Sequence, residues 1–410
     1  MNIKPWEKRL KDLSHLLGIC AETYFDPELF RLNLNQFLQT SRTVTFIIQK
    51  NKKEIAGFDK WYQEFVIEKW SNDPLMTWAK DSRNTIEKQG DLEMFSEARA
   101  TLIFSYIEEQ DIDIKTHESL IKIGIKKLVR LAQKRLPSAM SGDAVIRSER
   151  RWVANSLENY ELLHALTLIY SRVYDCCKSL GNFIGNPICE KILTPTSFES
   201  LRNEKRYVSY FKLNDYSTGH ISFDTVKVDH KSIPESIKER IDKMDKSSEV
   251  KSLKDLVINL SKITEFTFLE YGNHVQTLFF FNKDYQTIDL LSTRFDDQAD
   301  KYVFWRVAAD RAKILNAFGF IWISELWIRR SNLNFKEAIH KMPIIGERLQ
   351  IIGIDTDDNQ HSISWEIIRN DDAEKPQLAL ISTDESSDGK GYFMRPVLKA
   401  IGGDITNLND

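Results

Sequence analysis

Arg83, Asn84 and Lys88 form a polar group on one predicted helix that could contact a nucleotide or RNA. A guanidinium can steady phosphoryl charge, an amide can hydrogen-bond it, and an ammonium can neutralise it. A lysine, with an ordinary pKa of about 10.4, shuttles protons poorly at pH 7. The surrounding sequence predicts a helix over 74–89: Asp73 supplies an N-capping carboxylate, Pro74 suits the first helical position, and Gly90 supplies a stop. On such a helix Asn84 and Lys88 are i,i+4 neighbours, as are Arg83 and Glu87. Positions five apart lie about 140° apart around the axis, so one straight helix cannot aim residues 83 and 88 at one point. The competing reading of the same residues is a polar helix face that satisfies its own charges.

A second cluster is electrostatic. Between Lys122 and Arg151 the basic residues Lys122, Lys126, Lys127, Arg130, Lys134, Arg135, Arg147, Arg150 and Arg151 outnumber the acids Asp143 and Glu149, in a chain whose net charge is −3. Such a tract could be a phosphate-backbone footprint, with Lys122, Lys126, Lys127, Arg130, Lys134 and Arg135 as the nucleic-acid-binding set. Trp152, at the end of the tract, reads as a core anchor. Arg9 and His15 satisfy a loose Arg-to-His spacing on the first helix, a pairing expected by chance. Glu325 stands inside the apolar run Phe320 to Ile328, where a carboxylate needs a partner. Arg329, Arg330 and Arg306 are the partners expected, and a small-molecule or metal site is the alternative. No P-loop, GxGxxG, HExxH or GxSxG pattern occurs. No metal and no cofactor is expected.

The elements that must position these residues fall into three textures. From about 6 to 95 the periodicity is helical, and Phe58, Trp61, Tyr62, Phe65 and Val66 form one apolar stripe. Ala98 to Tyr106 is β-favourable, although a buried helix fits it too. Helices are predicted over 118–136 and from about Leu157 to Leu180. Between about 190 and 255 come strand-like pieces, Tyr207 to Leu213 and His220 to Val228, and then a charge-alternating run that reads as a connector. The last third predicts a helix near 252–270, a hairpin of 277–281 with 287–291, a helix over 299–317, a strand from Phe320 to Ile328, and strands at 347–354, 362–368 and 378–381. Read as ββαβββ, this order implies an antiparallel sheet with at least one face covered by helices.

Length and a 42% hydrophobic content allow substantial cores in two or three domains. Cys20, Cys176, Cys177 and Cys189 show no CxxC spacing and read as buried thiols of a reducing compartment. No window resembles a signal peptide or a membrane span, so a cytoplasmic protein without a membrane partner is expected.

The stretch Asp73 to Leu92 resembles the motif helix of the HEPN superfamily of small α-helical RNA-binding and RNA-cutting domains, whose pattern is Arg, a polar residue, three residues and His. Arg83 and Asn84 match, and Lys88 stands in the His position. The resemblance implies metal-independent chemistry with Arg83, Asn84 and Lys88 as the catalytic set, Lys88 lacking the acid-base competence of His. It also implies a homodimer that forms its site at a two-fold interface. The blocks Arg83-Asn84 with Lys88 to Leu92, Glu149 to Val153, and Glu161 to Leu163 with Ala165-Leu166 are similar to those of large uncharacterised bacterial proteins. Phe320 to Trp327 is similar to a separate uncharacterised bacterial αβ domain. The resulting expectation is an α+β protein: a HEPN-like helical domain with a small β element over 1–190, a charged connector over 191–255, and an α+β domain over 256–410. Its function is read as RNA- or nucleotide-binding regulation without robust catalysis, placed by family analogy in a phage-defence or toxin-antitoxin-like system. A metal-independent endoribonuclease and a structural protein-protein partner are the alternatives.

Overall fold

The computed structural model describes residues 4–114, 123–137, 141–214, 239, 250–330, 342–369, 375–382, 390–406 and 408–409. The chain is α+β, with a helical N-terminal part and a sheet-rich C-terminal part. It divides into two compact units, Met1–Leu102 with Ile112–Ser222 and Ile103–Asp111 with Phe223–Asp410.

In the first unit, helices α1 (Pro5–Glu22), α2 (Pro27–Lys50), α5 (Pro74–Lys88) and α7 (Leu162–Phe183) share one core with the short helices α3 (Phe58–Tyr62) and α4 (Glu68–Ser71). Local chemistry sets the helix ends. Asp26 accepts hydrogen bonds from the backbone N–H groups of Glu28 and Leu29, and Asp73 does the same for Leu75 and Met76, each directly ahead of a proline. Gly90, at φ 118°, takes the chain out of α5 through a conformation that side chains disfavour. The Phe58 to Val66 stripe is not one regular helix, because a π-helical turn, Gln63–Ile67, adds a residue between α3 and α4. Phe58, Trp61 and Val66 are buried nonetheless.

A four-stranded sheet completes this unit in the order β2 (Ile112–Asp113), β1 (Met94–Ile103), β3 (Val145–Ala154), β4 (Tyr207–Lys212). The described residues of the expected connector thus include a 3-10 turn, Pro195–Leu201, and then a strand of this sheet, paired antiparallel to β3. The strand expected over 220–228 and most of the charge-alternating run lie outside the described residues. Helix α6 (Ile125–Gln133) is the described part of the helix expected over 118–136.

The second unit is a six-stranded antiparallel sheet in the order β10 (Gln377–Ser382), β9 (Gln360–Ile368), β8 (Ile344–Asp355), β7 (Gly319–Arg329), β5 (Gln276–Phe281), β6 (Thr287–Thr293). Helix α9 (Gln298–Leu315) carries the chain from β6 across β5 to β7, and β7 to β10 then form a meander. All six strands expected individually are present, so the order is ββαββββ and the ββαβββ reading undercounts them by one.

Alternation along the strands builds two cores. Leu278, Phe280, Phe320, Trp322, Ile352 and Ile354 meet α9 and α10 (Arg395–Ile401) on one face. Phe281, Ile321, Ile323, Leu349, Ile351 and Trp365 meet α8 (Leu253–Tyr271) on the other. The second unit also holds Ile103–Asp111. There the Tyr106 ring packs edge-on against Tyr302, Arg306 pairs with Asp111 at 2.9 Å, and Lys399 pairs with Glu109 at 2.7 Å. A two-stranded parallel pairing, β11 (Lys390–Gly391) with β12 (Leu408–Asn409), lies near the C-terminus.

Candidate functional site

Helix α5 runs where its sequence signals place it, and there Arg83, Asn84 and Glu87 are occupied by one another. Arg83 donates to the side-chain oxygen of Asn84 at 3.1 Å and pairs with Glu87 at 2.7 Å, while Lys88 is exposed beyond them. The guanidinium also lies over the Phe46 ring, 5.4 Å from its centre. Arg42, one helical turn before Phe46 on α2, covers the same ring at 4.9 Å. Phe46 is thus flanked by two cations at the surface, a grouping that sequence inspection of α5 alone does not find. Its signal is split between Arg42 and Phe46 at i,i+4 on α2 and Arg83 on α5.

The basic tract separates into residues with different fates. Lys126, Lys127, Arg130, Lys134 and Arg135 are exposed, opposite Ile125, Leu128, Val129 and Ala132, which are buried. Arg135 donates to the backbone carbonyl of Asp113 at 3.1 Å. Lys122 lies outside the described residues. Arg147, Arg150 and Arg151 sit on β3, where alternation decides exposure. Arg150 points inward and is almost wholly buried, donating to the Ile123 carbonyl at 3.3 Å. Burial lowers its pKa to about 10. It belongs to the core, and the Arg147 guanidinium is paired with Glu149. Trp152 is a core anchor: its indole N–H donates to the Tyr24 carbonyl at 2.9 Å and its ring stacks on Phe30.

Glu161 is the most perturbed carboxyl of this unit. It caps α7, accepting from the His164 backbone N–H and from the Tyr24 hydroxyl, both at 2.8 Å. Burial pushes its pKa up to about 7 against hydrogen bonds that favour the charged form. Being fully enclosed, it can reach no substrate, and its role is to close the helix terminus. On α1, His15 is exposed and Arg9 is paired with Asp12 at 2.9 Å.

In the second unit, Glu325 accepts from the His274 backbone N–H and lies 3.7 Å from Arg369. Burial raises its pKa. The expected partners are displaced: Arg306 is committed to Asp111 and Glu108, and Arg329 donates to the Met342 carbonyl. Strand register explains this, because Glu325 pairs with Leu349 on the α8 face, the face that Arg369 reaches from beyond the end of β9. Among the described residues no three His, Cys, Asp or Glu side chains gather so as to hold a metal ion. Cys20, Cys176 and Cys177 are buried thiols and Cys189 is half-buried. No helix among the described residues is long and apolar enough to cross a membrane.

The α+β fold and the contacts on α5 do not by themselves define a class, and sequence comparison gives it. The family described as bacteriophage lambda protein ea47 matches residues 3–408, and the chain belongs to that family. Protein ea47 of Escherichia phage lambda is 61% identical over 410 residues, covering all of this chain and all of that protein. No solved structure matches. This membership overturns the HEPN resemblance and the bacterial families likened to the other blocks. With that resemblance go the grounds for a catalytic Arg83, Asn84 and Lys88 set, for a two-fold site and for a bacterial defence setting. In the structure Arg83 and Asn84 bond each other, Glu87 takes the guanidinium, and Lys88 stands apart.

Proposed function

We propose that the protein is a regulatory RNA-binding protein that holds the phosphate backbone on the exposed face of α6 and does not cleave it. The observation that supports this reading is the segregation of that helix and the turn after it: Lys126, Lys127, Arg130, Lys134 and Arg135 face solvent, and Ile125, Leu128, Val129 and Ala132 are buried. Lys126, Arg130 and Lys134 recur every fourth residue and run down one side of the helix. No acid occurs in the sequence between Glu118 and Asp143. Neutralising phosphates releases condensed counterions, so a row of cations favours a polyanion more than a small acid. The segment brings no His, Asp or Glu that could serve as acid or base beside the phosphates.

The test is fluorescence anisotropy of a labelled single-stranded RNA titrated with the full chain and with the Lys126→Glu/Arg130→Glu/Lys134→Glu variant. The variant should bind at least about tenfold more weakly at low salt. Equal binding by the two proteins across a salt series would overturn the reading.

A further inference from the structure

Two hollows flank α5, and they carry opposite charge. One is lined by Asp81, Asp91 and Glu93 and by no cation. The other, about 420 Å³ between α2, the α3–α4 region and α5, is lined by Arg42 and Lys80 and by no acid. Two aromatic rings, Tyr62 and Trp70, share that second hollow with the two cations. The π-helical turn Gln63–Ile67 supplies Val66 and Ile67 to its wall. Such turns break the regular ladder and often occur at functional sites. Beside the hollow, the Arg42 guanidinium also lies over the exposed Phe46 ring, which Arg83 approaches as well. Lys80 has only a loose contact with Asp81, at 3.8 Å.

We infer that this hollow is a binding site for a nucleoside monophosphate, with the base against Trp70 and Tyr62 and the phosphate on Arg42 and Lys80. Its volume falls in the ordinary range for small-molecule sites. Aromatic faces accept any nucleobase by stacking, and a guanidinium with an ammonium matches a phosphate dianion in charge. Tyr62 is held in place because its hydroxyl accepts from the Gln49 amide. The site lies on different helices from the α6 face and stands independently of RNA binding there.

The test is isothermal titration calorimetry of the full chain with AMP, GMP, CMP and UMP, with adenosine and inorganic phosphate as the two half-ligands. At least one monophosphate should bind saturably, and adenosine and phosphate should each bind at least about tenfold more weakly. Arg42→Glu/Lys80→Glu should lower affinity for the monophosphate by at least about tenfold. Trp70→Ala should do likewise, while Trp70→Phe retains a stacking ring and restores most of the affinity. Circular dichroism separates loss of binding from loss of folding in these variants. The α6 charge-reversal variant should bind the monophosphate as the native chain does, so failure of one site is distinguishable from failure of the other. No binding of any of the four monophosphates at millimolar concentration would overturn the inference. Binding untouched by both Arg42→Glu/Lys80→Glu and Trp70→Ala would overturn it as well.

Discussion

Replacing Glu161 with Gln tests whether the carboxyl that caps α7 is carried as a burial penalty. The carboxyl titrates at about 7 in the folded chain against an ordinary 4.5. Below 4.5 both folded and unfolded chains hold the proton. Between 4.5 and 7 the folded chain still binds the proton that the unfolded chain has lost, so stability falls as pH rises, and above 7 the loss is complete. The shift from 4.5 to about 7 corresponds to about 3 kcal/mol. Glutamine remains neutral: its single carbonyl oxygen can keep the bond from the His164 N–H, while its amide donates to the Tyr24 hydroxyl, which can turn its own proton to the Arg150 carbonyl, so the helix cap is retained without the titration. The assay is urea unfolding at a series of pH values from 4.5 to 8, with buried Trp152 among the fluorescent reporters. Whatever the variant's absolute stability, its difference from the native chain should move in the variant's favour by about 3 kcal/mol across that range. A pH-independent difference would refute the reasoning and would mean that the hydrogen bonds to Glu161 cancel its desolvation.

Other predictions concern the second unit. Arg306→Ala leaves Asp111 and Glu108 facing a buried gap and should destabilise the chain by about 3 kcal/mol, read as a lower urea midpoint. Gly353→Ala should cost about 2 kcal/mol by overpacking, because an added Cβ would come within 2.7 Å of Val257 and 2.8 Å of Leu253 on α8. Combining it with Val257→Ala should recover part of that cost, a coupling that a double-mutant cycle in urea measures.

Much of the fold was legible because its signals are local. Asp73-Pro74 and Gly90 bracket α5, and the alternation of Phe320 to Ile323 gives β7 its two buried faces. The π-helical turn was hidden because Phe58 to Val66 keeps an apolar stripe with or without one inserted residue. The charge count over the whole tract was too high for a related reason. A count of cations ignores the period-two alternation that sends Arg150 inward beside Trp152 while Arg147 meets Glu149. Partners distant in sequence were the least legible: Glu325 finds Arg369, Arg306 finds Asp111, and Phe46 lies between Arg42 and Arg83. The Arg83-Asn84 pair drew attention by type and spacing, but its chemistry depends on Glu87, whose carboxylate takes the guanidinium.

The salt dependence of RNA binding tests the central proposal most directly. For single strands, each neutralised phosphate contributes about −0.7 to the slope of log K against log salt, so five engaged side chains would set a limit of about −3.5. Anisotropy titrations of the native chain over a series of sodium chloride concentrations should give a slope of about −2 to −3.5 that flattens in the Lys126→Glu/Arg130→Glu/Lys134→Glu variant. Absence of binding at low salt, or a slope identical in the two proteins, would contradict the account.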